Sequence, residues 1–266
     1  MDRNLDTYNK YVNQYSDYSL GASEREILRL FRHQWSDCRM LDIGIGTGRS
    51  TFTFAAVVRE YVGIDYAEGM IERAREILPE RKDIAYELCD ARDLSRFYDA
   101  PFDFVLFSQN GLDSVGHEDR EKILTEVEKV LKPGGVFCFS SHSVNRFAFQ
   151  RPLPAFQVHR PIKSLYYLAK RMLLNIRLRM HYEEESESEI LASDWSILKT
   201  GDHDFQIDIY HVKPAFQLSI LNRLGFHVDR VLDRKGNQVD AVQAPDAWLY
   251  YVCRKPDSEA LPATSS

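Results

Sequence analysis

The most constraining stretch lies between residues 38 and 60. A short apolar run, 38–43, passes without a linker into Gly44-Ile45-Gly46-Thr47-Gly48, and residues 49–60 then read as a helix. Glycines at alternate positions remove the Cβ atoms that would hold a ligand away from the backbone, and the helix that follows aims its first amides at that ligand. A strand ending in such a loop belongs to an α/β sheet, because the helix has to cross back over the sheet before the next strand begins. The downstream pattern agrees. Strands are expected at 61–64, 84–88, 104–107 and 136–140, with helices at 69–78 and 118–131, and Lys132-Pro133-Gly134-Gly135 reads as a helix stop and turn.

Upstream, SEREILRLFRHQW places Ile27, Leu28, Leu30 and Phe31 on an amphipathic helix with Ser23 as its N-cap. Before it, Tyr8, Tyr11, Tyr15 and Tyr18 recur at helical spacing. Late in the chain a helix is expected at 215–224, ended by Gly225, with closing strands at 228–232 and 248–252. The alternation is interrupted between Ser143 and Lys213. There, 162–181 reads as a helix with Leu165, Leu168, Ala169, Met172, Leu173, Ile176 and Met180 on one face and Lys163, Lys170 and Arg177 on another. An acidic run, 183–189, follows, and then a β-hairpin of 196–200 and 205–210 around Gly201-Asp202-His203-Asp204. The expected organisation is an N-terminal clasp (1–22), a core made of 23–142 and 214–255, a lid insertion (143–213) and a flexible tail (256–266).

Composition excludes several classes. With 44% hydrophobic and 28% charged residues the chain is an ordinary globular one, and a net charge of -6 offers no global positive field for nucleic acid. No basic start precedes an apolar run as in a secretory signal, and no apolar stretch reaches the roughly 18 to 20 residues that span a bilayer. Cys38, Cys89, Cys138 and Cys253 lack metal-site or redox spacing and read as buried thiols of a reducing compartment, so a cytoplasmic location is expected and no metal.

The glycine loop is G-x-G-x-G, with Arg49 where a dinucleotide-binding loop would have its third glycine. Asp65 ends the next strand 21 positions after Gly44, where a carboxylate can accept both hydroxyls of a ribose. Cys89-Asp90-Ala91 ends the strand after that and offers a carboxylate to an exocyclic amine, and Asp42 adds an anion beneath the loop. Carboxylates and backbone amides without a pyrophosphate clamp suit a ligand that carries a sulfonium, an ammonium, a ribose and adenine. S-adenosylmethionine fits that description.

In order and spacing, MLDIGIGTGRS, YVGIDYAEGMIERARE, CDARDLS, FDFVLFSQNGLDSV and LKPGG resemble the successive motifs of the class I S-adenosylmethionine-dependent methyltransferases. The resemblance covers 27–141 strongly and 214–255 more loosely. It implies a doubly wound, Rossmann-like, mostly parallel sheet with an antiparallel last strand, to which the helix-and-hairpin lid is added. By position it implies that Gly44, Gly46 and Gly48 line the methionine and ribose, that Asp65 holds the ribose hydroxyls, and that Asp90 with Ala91 contacts adenine. Tyr66 and Met70 would flank the adenine ring, and Ser108 would help hold the methionine end. The late insertion loosely resembles that of glycine N-methyltransferase-like, small-molecule enzymes in topology only, which does not name the acceptor.

In an open α/β sheet the acceptor lies beyond the carboxyl ends of the strands. That directs attention to Gln109, Asn110 and Asp113 after the fourth strand, and to Ser141, His142 and Asn145 after the fifth. His142 is the candidate base, with Tyr210 and His211 as further catalytic candidates and Tyr11 and Tyr15 as substrate contacts from the clasp. The expected activity is methyl transfer to an oxygen or nitrogen of a small or medium-sized acceptor, by a monomer or homodimer. The alternative is a cofactor-binding module without catalysis, working through a partner or membrane. A nicotinamide dehydrogenase and a nucleic-acid methyltransferase are disfavoured, the latter because Ser108-Gln109-Asn110-Gly111 stands where an Asn-Pro-Pro-Tyr-type sequence would be. A lid or interface helix is favoured for 162–181 over peripheral membrane contact.

Overall fold

The computed structural model describes residues 3–12, 19–144, 166, 168–169, 172–173, 190–199 and 207–257. In chain order these form α1 (Arg3–Tyr11), α2 (Ala22–Leu30), β1 (Arg39–Ile43), α3 (Thr51–Phe54), β2 (Glu60–Asp65), α4 (Glu68–Ile77), β3 (Ile84–Leu88), β4 (Phe102–Phe107), α5 (His117–Val130) and β5 (Leu131–Ser143). After the interruption come β6 (Ile190–Leu191), β7 (Trp195–Lys199), β8 (Asp208–Val212), α6 (Pro214–Arg223), β9 (His227–Leu232) and β10 (Trp248–Arg254). Strands β3-β2-β1-β4-β5 are parallel neighbours, β10 runs antiparallel to β5, and β9 runs antiparallel to β10. The antiparallel last strand and the doubly wound sheet are therefore present.

Both faces of the sheet are covered. Along the strands alternate residues go to opposite sides, so Met40, Phe104 and Leu106 pack under Ile27 of α2 and Ile71 of α4, while Leu41, Val105 and Phe137 pack under Ile123 of α5 and Ile220 of α6. Two buried layers hold the strand ends rigidly, which fixes everything built on them.

Three local expectations are corrected. The helix expected over 49–60 is a regular α-helix only at Thr51–Phe54, since Thr51, Thr53, Val57 and Val58 are β-branched and Ser50 spends its hydroxyl on Asp42 rather than on a cap. The N-cap of α2 is Gly21, whose N–H donates to the Glu24 carboxylate at 2.6 Å, because the Ser23 hydroxyl is drawn away to the Asp233 carbonyl at 2.7 Å. The 132–135 segment is not a separate turn but the irregular start of β5, with a register shift opposite 102–104.

At its other end β5 runs to Ser143, past the expected 140. Its His142 pairs with Trp248 of β10 on one edge and with His211 of β8 on the other. Strand β8 therefore continues the sheet where β4 has ended, with β7 and β6 antiparallel beyond it. Residues 166, 168–169 and 172–173 are helical, and Tyr166, Met172 and Leu173 are exposed. The remainder of the 162–181 expectation, the acidic run 183–189 and the tail from 258 lie outside the described residues. Among the described residues no helix is long and apolar enough to cross a membrane.

Candidate functional site

A cavity of about 660 Å³ opens at the carboxyl ends of β1, β2 and β4. Its floor is the glycine loop. Gly44 and Gly46 have φ of 65° and 56°, a region costly for any residue with a Cβ. A Cβ on Gly44 would sit 2.9 Å from the Phe107 ring, whereas one on Gly46 would meet nothing within 4 Å, so the space above Gly46 is open to a ligand. Amides of Gly44 and Ile45 donate to the Ile64 carbonyl at 2.8 and 3.1 Å and tie the loop to β2. Gly48 does not line the cavity; it lets the loop pack on Ala74 of α4.

Asp65, at the end of β2, accepts from the Gly46 N–H and the Ala67 N–H, both at 2.9 Å. Burial outweighs these bonds and pushes its carboxyl up to about 6. Asp42 lies under the loop, where it accepts the hydroxyls of Ser50 at 2.6 Å and Tyr61 at 2.7 Å, and burial likewise raises it to about 6. Tyr66, Met70, Asp90 and Ala91 line the side expected to face adenine. Asp90 receives four hydrogen bonds from Arg92, through its backbone N–H and its guanidinium, and Arg92 holds it low against the effect of burial. Its carboxylate is thereby committed to Arg92, which also lines the cavity and pairs with Asp119 at 2.8 Å.

At the opposite end, Ser108 donates to Glu24 and meets the Tyr250 hydroxyl at 3.0 Å. Arg49 grips Glu24 with its two terminal guanidinium nitrogens, Nη1 and Nη2, and donates from Nη1 to the Ser19 carbonyl at 3.0 Å. Burial alone would raise Glu24, but Arg49, Ser108 and the Gly21 amide keep it below the usual carboxylate range. Sequence reasoning missed Glu24, Arg49, Arg92 and Tyr250 as site residues. Only the polar Arg49 inside the glycine motif offered a signal, since its partner stands 25 positions upstream.

After β4 the chain turns through Gln109 and Asn110 with φ of 52° and 59°, two successive non-glycine residues in the left-handed region. Such strain is held by the surrounding structure and gathers at functional positions. Ser108 and Gln109 line the cavity, as does Tyr8 of α1, whose hydroxyl meets Ser114 Oγ at 2.8 Å. Asn110 is buried behind them, its N–H donating to Ser140 Oγ at 2.7 Å.

The remaining candidates gather around a different centre. Asp113 is completely buried and does not line the cavity. It pairs with the equally buried Arg120 and accepts from Ser141 Oγ at 2.8 Å and from the His142 N–H at 2.6 Å. Burial would raise Asp113, but Arg120 and His142 hold it low, so it stays ionised. Its expected contact with an acceptor is corrected to a contact with His142, whose Nδ1 is 2.8 Å away. The Nε2 of His142 faces Asn110 Nδ2 at 3.4 Å. His211 lies with its ring 5.0 Å from that of His142, and burial lowers it to about 4. Tyr210 is also fully buried, its hydroxyl 2.8 Å from His117 Nδ1 and its ring beneath Arg120, so it serves packing between the hairpin and α5 rather than the cavity. Neither His142 nor His211 lines the cavity, though Trp248, 5.9 Å from His142 ring to ring, does. Tyr11 falls in α1 with its side chain outside the described residues, as are Tyr15 and Asn145 altogether. Among the described residues no cluster of three metal-ligating side chains occurs.

Comparison with known proteins agrees with this fold. Residues 40–135 match the family model described as "Methyltransferase domain". A demethylmenaquinone methyltransferase of Clavibacter sepedonicus is 40% identical over 97 residues, 36% of this chain and 38% of that protein. The chain spans between about a fifth and three fifths of the length of the curated relatives it matches, from 22% to 58%. The CcbJ methyltransferase of Streptomyces caelestis superposes with a TM-score of 0.59 at 15% identity, over 94% of this chain and 98% of that one. The 1,6-didemethyltoxoflavin-N1-methyltransferase of Burkholderia thailandensis, solved with its acceptor and S-adenosylhomocysteine, superposes with a TM-score of 0.59 at 14% identity, over 95% and 85%. Residues 40–135 thus match a methyltransferase domain, and the solved methyltransferases share the fold of this chain; the cofactor to set against the cavity is S-adenosylmethionine, whose demethylated product one of those structures holds.

The cavity fits this cofactor. The opening above Gly46 and the buried Asp65 beside it suit a ribose, and Tyr66 with Met70 provides walls for a flat ring.

Proposed function

We propose that the protein transfers a methyl group from S-adenosylmethionine to an oxygen or nitrogen of a small or medium-sized acceptor. One observation carries this reading. The glycine loop and Asp65 share a single cavity with Ser108, Gln109 and Trp248, so space for an acceptor adjoins the cofactor's walls. The cofactor, when bound, supplies an electrophilic methyl on a sulfonium. Everything else is positioning: the loop and Asp65 fix the ribose, the Glu24–Arg49–Ser108 cluster shapes the methionine end, and α1 shields one side from water.

An acceptor that carries a proton must lose it. His142 is the group we assign to this step. Asp113 accepts from Nδ1–H, which leaves Nε2 as the basic atom and stabilises the imidazolium once the proton arrives. For Nε2 to reach an acceptor, Asn110 and Trp248 have to yield at that edge of the cavity.

The test is a screen of metabolite acceptors for S-adenosylhomocysteine release, with Gly46→Arg as the inactive control. Release by the wild type alone, with any acceptor class, supports the reading. Identical traces for the two proteins across every class, in a wild type that still binds cofactor, would replace the enzyme with a binding module.

A further inference from the structure

The charges on the cavity wall differ in whether the protein itself answers them. Arg49 is held by Glu24, Arg92 by Asp90 and Asp119, Asp42 by two hydroxyls, and Asp65 by backbone amides. Arg234 is different. It lines the cavity from the turn between β9 and β10 at the solvent-exposed rim, lies with its guanidinium carbon 4.8 Å from the Trp248 ring centroid, and has no carboxylate partner among the described residues. Trp248 lines the same end, and its Nε1–H is withdrawn from solvent without an acceptor.

The turn that carries Arg234 is rigid. The Asp233 carboxylate accepts the amides of Lys235 and Asn237 at 2.9 and 2.8 Å, and its carbonyl accepts from the Ser23 hydroxyl. Gly236, at φ 84°, lets the turn press on α2, where a Cβ would come 2.9 Å from the Ala22 carbonyl. A guanidinium held over an indole at the mouth of a cavity offers its planar fork of donors to a carboxylate or phosphate. The cofactor walls, by contrast, present Asp42, Asp65 and Asp90.

We infer that Arg234 and Trp248 form an anion subsite for the methyl acceptor, so that the acceptor is a small molecule bearing a carboxylate or phosphate. This deepens the proposed function, because it takes the Trp248 end of the cavity as acceptor space. The guanidinium, braced by the indole, holds the anionic end, and the rest of the acceptor extends along the cavity toward Gln109.

The experiment uses full-length protein saturated with S-adenosylhomocysteine and ligand-observed NMR titration of four probes: benzoate and phenylphosphate, with benzamide and benzyl alcohol as neutral twins. Binding of either anion at least tenfold tighter than its twin is expected, and which anion wins assigns the source as carboxylate or phosphate. Arg234→Gln should abolish that preference while leaving S-adenosylhomocysteine affinity within about twofold, and Lys235→Gln on the same turn should retain it. Equal binding of the neutral twins, no anion binding, or an unaltered preference in Arg234→Gln overturns the inference. So does a tenfold loss of S-adenosylhomocysteine affinity in that variant, which would give Arg234 to the cofactor's own carboxylate. Anion binding with no turnover of any acceptor would strike at the enzyme reading and leave the subsite standing.

Discussion

The ribose contact proposed for Asp65 would couple cofactor binding to pH, in a direction set by the burial of its carboxyl. Its carboxyl is raised to about 6 because burial outweighs the amides of Ala67 and Gly46. Ribose hydroxyls donate, so they favour the ionised form, and binding must expel the proton that the free protein still carries below that value. With a midpoint near 6, the ionised fraction is about nine tenths at pH 7 and about one tenth at pH 5. Apparent affinity for S-adenosylhomocysteine should therefore fall about tenfold between those values, or ~1.4 kcal/mol. Calorimetry at pH 5, 6 and 7, in buffers of different ionisation enthalpy, reads both the loss and the proton released. Asp42 titrates in the same range, its Oδ2 accepting the hydroxyls of both Ser50 and Tyr61, so Asp65→Asn is the variant that separates the two carboxylates. That variant should bind roughly 10- to 150-fold more weakly at pH 7, the worth of a charge-assisted hydrogen bond, and should lose most of the slope. A flat profile in the wild type, or an undiminished slope in Asp65→Asn, refutes the reasoning.

Other consequences follow from the same geometry. Asp113→Asn strips the buried Arg120 of its counter-charge, which should cost about 3 to 5 kcal/mol and lower the melting temperature by roughly 6 to 20 °C; a loss below about 1 kcal/mol by urea titration would mean that Arg120 finds another partner. Gly44→Ala meets both a φ of 65° and the Phe107 ring, so it should destabilise by at least ~1–2 kcal/mol and weaken cofactor binding, whereas unchanged melting and affinity would contradict the close-packed loop. Once an acceptor is found, His142→Asn should lower kcat with little change in KM; an unchanged kcat in the variant would relieve His142 of the base role.

The core was readable because its signals are local. Strand, glycine loop and crossover helix follow from local backbone geometry, so the mostly parallel sheet was within reach of the sequence, while its antiparallel last strand came from the family resemblance. What escaped depends on distant pairings. Nothing in SEREILRLF announces that Glu24 will meet Arg49 and Ser108, 25 and 84 positions later. Asp113 looked like an acceptor contact because it follows β4, yet the short turn at Gly111–Ser114 points it inward to Arg120. Tyr210 was misplaced by the same logic. Strand alternation puts it on the face opposite His211, and pairing of β8 with the end of β5 then buries it against α5. Arg234 gave no sequence signal at all, since an arginine in a polar turn is ordinarily solvated.

The central claim is that this cavity is built for S-adenosylmethionine. Equilibrium dialysis of the wild type and Gly46→Arg against labelled S-adenosylmethionine, with NAD as competitor, tests it most directly. The structure predicts one site per chain in the wild type, unaffected by NAD and lost in the variant, whose side chain would fill the open space above residue 46. Equal binding by the two proteins, or displacement by NAD, would contradict the account.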